Sequence, residues 1–221
     1  MKKYNVEVFY DSDFEYSYIF DNMEEMGIEI HHNSSYLLGN NNFRGDSVDY
    51  IMDSLLYLTE RQKENLYRKF DTPYCNDCLE YLLERLEPKA ILPVYVYEHS
   101  GSSISTSPFS CRWDSGQIGF IYIADKEKFK KAFGLKKMNN QKALDVMDSI
   151  IREINTIWNG FVYGFIVKDN ESGEHIDSCG GFIGYDTDEI AEEMLGHVCL
   201  QDVSDEEALD MFLEAFDNIE Y

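Results

Sequence analysis

The chain has 221 residues, 44% hydrophobic and 14% aromatic, enough apolar material for a real core and too much for a disordered polyelectrolyte. Its 42 Asp and Glu stand against 19 Lys and Arg, a formal charge of −23, which argues against direct binding to nucleic-acid phosphates and for a basic protein surface as partner. No apolar run reaches about 18 residues, so no membrane span is expected; the opening MKKYNVEVFYD lacks the apolar stretch of a signal peptide, and five cysteines, an odd number, fit a reducing cytoplasm.

Residues 3–10, KYNVEVFY, alternate apolar with polar and predict a strand. YSYIF and GIEIHH follow as its strand partners, and NSSYLLGNNNFRGD reads as a loop broken by Gly39, the Asn run and Gly45. The acids Asp11, Asp13 and Glu15 do not make a calcium loop, because the sixth-position Gly and twelfth-position Glu are missing. The His31–His32 pair has no HExxH-type partner and predicts one ring inward and one outward on a strand.

Asp46 is placed to cap a helix through SVDYIMDSLLYL, and Thr59 with Gln62 makes a capping box for TERQKENLYRKF. Pro73 interrupts, and CNDCLEYLLERLE resumes as a third helix. Cys75 and Cys78 form a single CxxC; a structural zinc site needs two further ligands at matching spacing, so no metal is expected and the pair reads as core at a helix start. ILPVYVYEH and QIGFIYIA are rich in β-branched and aromatic residues and predict strands.

KEKFKKAFG is a short basic helix ending at Gly134, and NQKALDVMDSIIREINTIW places Leu144, Met147, Ile151, Ile154 and Trp158 on one helical face. FVYGFIVKD, NESGE and HIDSCGGFIG read as a hairpin around a Gly-containing turn. Two helices close the chain, TDEIAEEML and SDEEALDMFLEAFDNIE, the second opened by a Ser204–Glu207 capping box. The expected fold is one α+β domain over 1–221, an antiparallel sheet with peripheral helices and acidic C-terminal helices, with residues 46–87 as a helical insertion.

Charge is unevenly distributed along this order. From Asp169 to Tyr221 there are 17 Asp or Glu and no Lys or Arg, whereas residues 125–142 carry seven lysines. In the last helix Leu209, Phe212, Leu213 and Phe216 form the apolar stripe, while Glu206, Asp210, Glu214 and Asp217 follow another. Asp188, Glu189, Glu192 and Glu193 repeat the acidic arrangement one helix earlier. Four helical residues rise about 6 Å, close to the roughly 6–7 Å between successive phosphates of one nucleic-acid strand. Those eight carboxylates are therefore read either as a solvated face or as a partner-binding surface that imitates a polynucleotide. The lysines of 125–142 offer an internal counterpart to them, or one across a homodimer.

The stretch EHSGSSISTSPFSCRWDSGQ gathers the side chains of a thiol hydrolase: Cys111 as nucleophile, His99 as base and Asp114 to orient it. Their order and spacing follow no thiol-enzyme signature. The structural reading is a turn whose Ser, Thr, Asp and Gly satisfy their own backbone, with Trp113 as apolar anchor. No phosphate-cradling Gly-rich loop, GxSxG or kinase signature is present, and no cofactor is expected.

LPVYVYEHSGSSISTSPFSCRWDSGQIGFIYI (92–123) resembles a segment shared by acidic proteins of bacteriophages, prophages and plasmids. The likeness continues more weakly into FDNMEEMGIEIHH and VYGFIVKDNESGEHIDSCGGFIG and spans about half the chain. Arg112 stands where that group commonly has proline, Gly180–Gly181 where it has Trp-Gly, and the helices of 46–87 are longer. The resemblance implies a mobile-element accessory protein in the cytoplasm of a bacterial host and carries over no catalytic residue. With the charge it leads to an expected function: inhibition of a host nucleic-acid-targeting defence, of anti-CRISPR or antirestriction type, by occupying the basic surface of a host nucleic-acid-binding protein. The alternatives are a small hydrolase or nucleotide-modifying enzyme built on His99 and Cys111, and an adaptor that binds a host factor through aromatic surface.

Overall fold

The computed structural model describes residues 3–15, 17–33, 42–43, 49, 51–70, 76–86, 90–99, 101–111 and 113–219. Where one domain over 1–221 is expected, the contacts fall into two compact units, residues 17–152 and residues 1–16 with 153–221. Each has helices and a mainly antiparallel sheet of its own, so the α+β class holds within both.

The 17–152 unit is built on a five-stranded sheet in the order β3-β2-β6-β4-β5, formed by β2 (Ile28–Asn33), β3 (Asn42–Phe43), β4 (Ile91–Glu98), β5 (Ser102–Ser105) and β6 (Ser115–Ile123). β6 lies at the centre, antiparallel to β2 and β4, and its residues from Ile118 to Ile123 are all buried. Such an uninterrupted buried run marks a strand covered on both faces. On one face Phe120 and Tyr122 pack with Ile51, Met52, Leu66, Cys78 and Leu82. These come from a π-helical turn at Ile51–Leu55 and from α2 (Glu60–Lys69) and α3 (Asn76–Leu86). The described part of 46–87 is thus core-forming within this unit. Asp46, Pro73 and Cys75 lie outside the described residues, and with them the expected cap, helix break and half of the CxxC pair.

The capping box is present: the Thr59 N–H donates to Gln62 Oε1 at 2.9 Å. YSYIF, expected as a strand, instead lies largely in helix α1 (Ser17–Glu25), whose buried residues are Ile19 and Met23. That i, i+4 pair gives the segment a helical face, which outweighs the local β preference of Tyr and Ile. GIEIHH does form β2, but it pairs with β6 rather than with the opening strand. Because both faces of the sheet are covered, the two histidines depart from one-in, one-out: His32 is 1% exposed, and the half-buried His31 ring stacks on Phe120 and Tyr122 at 5.7 and 6.1 Å. Burial lowers the His31 pKa. Two helices complete this part of the chain, α4 (Lys126–Ala132), capped by Asp125, and α5 (Asn140–Trp158), with Met147, Ile151 and Ile154 fully buried. The boundary between units falls within α5.

The other unit is a three-stranded antiparallel sheet in the order β1-β7-β8: β1 (Tyr4–Tyr10), β7 (Val162–Asp169) and β8 (His175–Ile183). The β7–β8 hairpin closes as expected, with Gly173 at φ +71 and its N–H bonded to the Asp169 carbonyl at 2.8 Å. On one sheet face Tyr4, Val8, Tyr163, Phe165, Val167 and Phe182 pack with apolar residues of α6 (Thr187–His197) and α7 (Asp205–Asp217). The buried stripe of α7 is Ala208, Met211, Phe212 and Ala215, one residue back from the expected stripe. Small side chains at 208 and 215 allow close approach to the sheet, while Leu209, Leu213 and Phe216 flank the contact partly buried. Phe216 meets Tyr163 edge-on at 5.2 Å.

Candidate functional site

The eight carboxylates singled out in sequence, Asp188, Glu189, Glu192, Glu193, Glu206, Asp210, Glu214 and Asp217, all lie on exposed positions of α6 and α7. The inner faces of the same helices are fixed by the core. Ile190, Ala191 and Met194 of α6 and Met211 and Phe212 of α7 are buried, so the helices cannot roll to hide their acids. Two N-caps hold the helix starts. Asp186 accepts from the N–H groups of Asp188 and Glu189 at 3.0 and 3.3 Å, and Ser204 accepts from that of Glu207 at 3.2 Å.

Part of this acidity has a local explanation, and part does not. Asp205, Glu206 and Glu207 occupy the first turn of α7, where the helix dipole favours negative charge. Glu214 and Asp217 sit at the opposite end, where it favours cations by about 0.3–1 kcal/mol per charge, and that turn holds no base. Glu206, Asp210 and Glu214 also repel at i, i+4, which costs about 0.2–0.5 kcal/mol per pair in an isolated helix. The unit's two described lysines are engaged away from these eight groups: Lys3 pairs with Asp202 at 3.1 Å and Lys168 with Glu7 at 3.0 Å. In the 17–152 unit, Lys130 pairs with Glu127 at 2.7 Å and Lys128 donates to the Glu24 carbonyl at 3.2 Å.

The His99–Cys111–Asp114 set is brought together at the end of the β4–β6 pairing, next to the Tyr97–Ser115 partners. Asp114 is its centre: one carboxylate oxygen lies 3.6 Å from His99 Nδ1 and 3.5 Å from Cys111 Sγ, the thiol donating to it. The backbone closes around them. The Asp114 carbonyl accepts from the Glu98 N–H at 2.8 Å, the His99 N–H donates to the Gly101 carbonyl at 3.0 Å, and the Ser115 hydroxyl donates to the Cys111 carbonyl. Gln117 turns inward, donating to the Gly119 carbonyl at 3.0 Å. A carboxylate shared by thiol and imidazole ties the turn together. A thiol–imidazole dyad needs those two groups bonded to each other. His99 is 67% exposed by side chain, so solvent reaches the set directly. Trp113, expected as an apolar anchor, is instead 95% exposed.

Cys78, the described half of the CxxC, is buried in the core beside Leu82. Among the described residues no group of three or more His, Cys, Asp or Glu is arranged to hold a metal ion. No described helix is long and apolar enough to cross a membrane.

Sequence reasoning passed over a further feature of the acidic unit. Gly180 and Gly181 of β8 cradle the chain that follows β1. A Cβ at Gly180 would stand 2.5 Å from Asp11 Oδ2, and one at Gly181, where φ is +86, would stand 3.0 Å from the Phe14 ring. The Gly181 N–H donates to Asp11 Oδ2 at 3.0 Å. The glycine doublet is the signal in the sequence, because a strand rarely places two side-chain-free residues in succession without a close neighbour to accommodate. No known family model, curated protein or solved structure matches the chain.

Proposed function

We propose that this chain is a mobile-element inhibitor of a host nucleic-acid-targeting defence. It acts by presenting α6 and α7 to a basic channel that otherwise holds nucleic acid. The observation that carries the reading is the concentration of charge. The unit of residues 1–16 and 153–221 has 22 Asp and Glu against three Lys and a net charge of −19, out of −23 for the whole chain. Helix stability does not account for acids at both ends of α7, and a positive partner does. A surface of this kind steers association by its long-range field and weakens as salt shortens the Debye length from about 10 Å at 0.1 M to about 3 Å at 1 M.

The test is a triple charge reversal, Glu206→Lys, Asp210→Lys and Glu214→Lys, in bacteria that carry a restriction or CRISPR system. Phage survival in the presence of the wild-type chain should fall on the order of a hundredfold with the variant, while circular dichroism stays unchanged. Undiminished protection by the folded variant removes the proposal.

The convergence of Cys111, Asp114 and His99 supports a second reading, a small thiol hydrolase. Here the wild-type chain would be screened on ester and amide substrates. Cys111→Ala should abolish any turnover without loss of thermal stability if the thiol reacts. If the thiol only ties the turn, the melting temperature falls instead.

A further inference from the structure

The cradle made by Gly180 and Gly181 seats Asp11 and Phe14 at the edge of an open pocket of about 500 Å³. Its walls include Tyr10, Phe14, Trp158 and Phe161, and its polar groups include Asp11 and Asn159. All belong to the acidic unit. The pocket is lined by Gly160, where φ is +78, and two further lining residues are joined by the Asp11 N–H donating to the Val162 carbonyl at 2.9 Å. Two of the aromatic walls pack on further rings. Tyr10 packs on Tyr163 at 5.2 Å, and Phe161 on Tyr185 at 4.4 Å. Asp11 is held by one carboxylate oxygen, Oδ2, on the Gly181 N–H.

We infer that this pocket receives an arginine side chain of the basic partner; the inference rests on the proposed reading of the acidic unit and names the residue type that anchors it. Aromatic faces attract cations, and a guanidinium stacks on them while its edge donates to a carboxylate. The unit's charge of −19 rejects anionic occupants such as phosphates and nucleotides and draws in a cation. Lysine fits less well, because its compact, strongly hydrated ammonium gains less from planar aromatic walls. The volume is in the range of ligand pockets and leaves ample room for an arginine side chain. Arginine and aromatic side chains are also the residues most enriched among interface hot spots. The glycine doublet then has a function beyond strand geometry, since any larger residue at 180 would displace the carboxylate.

The chain has two tryptophans, and Trp113 is 95% exposed, so Trp113→Phe leaves Trp158 as sole reporter on a fold it does not disturb. In that background, Trp158 fluorescence is followed while N-acetyl-arginine amide is titrated at constant ionic strength, with N-acetyl-lysine amide and N-acetyl-norleucine amide as controls. The arginine probe should give a saturable change in the millimolar range, the lysine probe a weaker one and the norleucine probe none. Asp11→Asn keeps an oxygen for the Gly181 N–H but removes the charge. It should weaken the arginine probe about tenfold, as expected for loss of a charge-assisted hydrogen bond. A linear response, equal responses to all three probes, or an Asp11→Asn variant that binds as well as its parent overturns the inference. The two readings fail separately. A Trp158 response that persists while the triple charge reversal still protects phage removes the acidic-surface reading and leaves an arginine-binding pocket without that partner. Loss of protection with a silent Trp158 removes only the pocket.

Discussion

The two units are built from the same elements and treat charge in opposite ways. In the 17–152 unit, 20 Asp and Glu face 16 Lys and Arg. Three of its helices follow the dipole: α2 has Glu60 in its first turn and Arg68 and Lys69 in its last, α3 has Asp77 and Arg85, and α4 has Glu127 and then Lys130 and Lys131, whereas α1 ends on Glu24 and Glu25. In the other unit α7 is acidic from Asp205 to Asp217 without interruption by a base. The first pattern is what folding alone selects, since each charge at a helix end contributes a few tenths of a kcal/mol or more when its sign is right. The second opposes folding at the C-terminal end of α7, where Glu214 and Asp217 have no base in the last turn, and burial of the helix's apolar face offsets that cost. The contrast separates a unit of nearly balanced charge from one whose outer face is almost wholly acidic, the feature on which the proposed function rests.

The comparison can be tested through each unit's core. Phe212 is fully buried, and its ring meets Phe165 edge-on at 5.3 Å. Phe212→Ala should remove about 3–5 kcal/mol, and the three-stranded unit, with the smaller sheet and the larger self-repulsion, should lose its cooperative transition. Chemical denaturation followed by hydrogen exchange reads this: amides of α6, α7 and β7 should lose protection first. Retention of that protection would mean that the acidic unit does not depend on its own core.

Gly119→Ala is the corresponding perturbation of the other unit. A Cβ there would stand 1.8 Å from the His31 carbonyl oxygen, at the pairing of β6 with β2. The backbone at the centre of a sheet cannot retreat, so about 3 kcal/mol should be lost. Protection should fall in β2, β4 and β6 and stay near its parent level in α7. Equal losses in both units would erase the distinction drawn between them.

A smaller effect comes from Asp148. The Thr106 hydroxyl, and after it the Arg152 guanidinium, which donates through Nε at 2.8 Å, hold its carboxyl below the ordinary value of 3.8. A folded-state pKa below the unfolded one gives stability that is present above the unfolded value and is lost as pH falls through the folded value. Asp148→Asn should therefore cost about 1 kcal/mol or less at pH 7, since solvent screens this partly exposed group. The difference from the parent should vanish in acid. A gap that stays constant with pH would assign the loss to packing.

Salt gives the smallest shift. Raising the concentration from 0.1 to 1 M screens the like-charge pairs of α6 and α7. It should stabilise the acidic unit by several tenths of a kcal/mol, given about 0.2–0.5 per i, i+4 pair. The nearly balanced unit should change less. A reversed order would show that the carboxylates are neutralised within the folded chain.

Much of this fold was legible from residue patterns. The alternation in Tyr4–Tyr10, the β-branched and aromatic runs of β4 and β6, the Gly173 hairpin and the Thr59 and Ser204 capping boxes each act within a few neighbours, where local physics decides. The five residues of YSYIF carry too little period to separate helix from strand, and burial of Ile19 with Met23 selects the helix. The α7 stripe was displaced by one residue because Ala208 and Ala215 look neutral until a sheet approaches them. Of the candidate site, the acids and their exposure were legible from helical spacing. The meeting of Cys111 and His99 on one Asp114 oxygen was not, because it depends on how β4 and β6 align.

By itself the sequence determined the charge, its crowding into the C-terminal quarter and the local elements, since composition and short-range periodicity are properties of neighbours along the chain. Only tertiary structure decided that β1 joins β7 while β2 joins β6, that the acids belong to a separate compact unit, and that two glycines of β8 close around Asp11 and Phe14. These are contacts between residues far apart in the chain. Which strand meets which is set by the burial of whole faces, a quantity that no single segment contains.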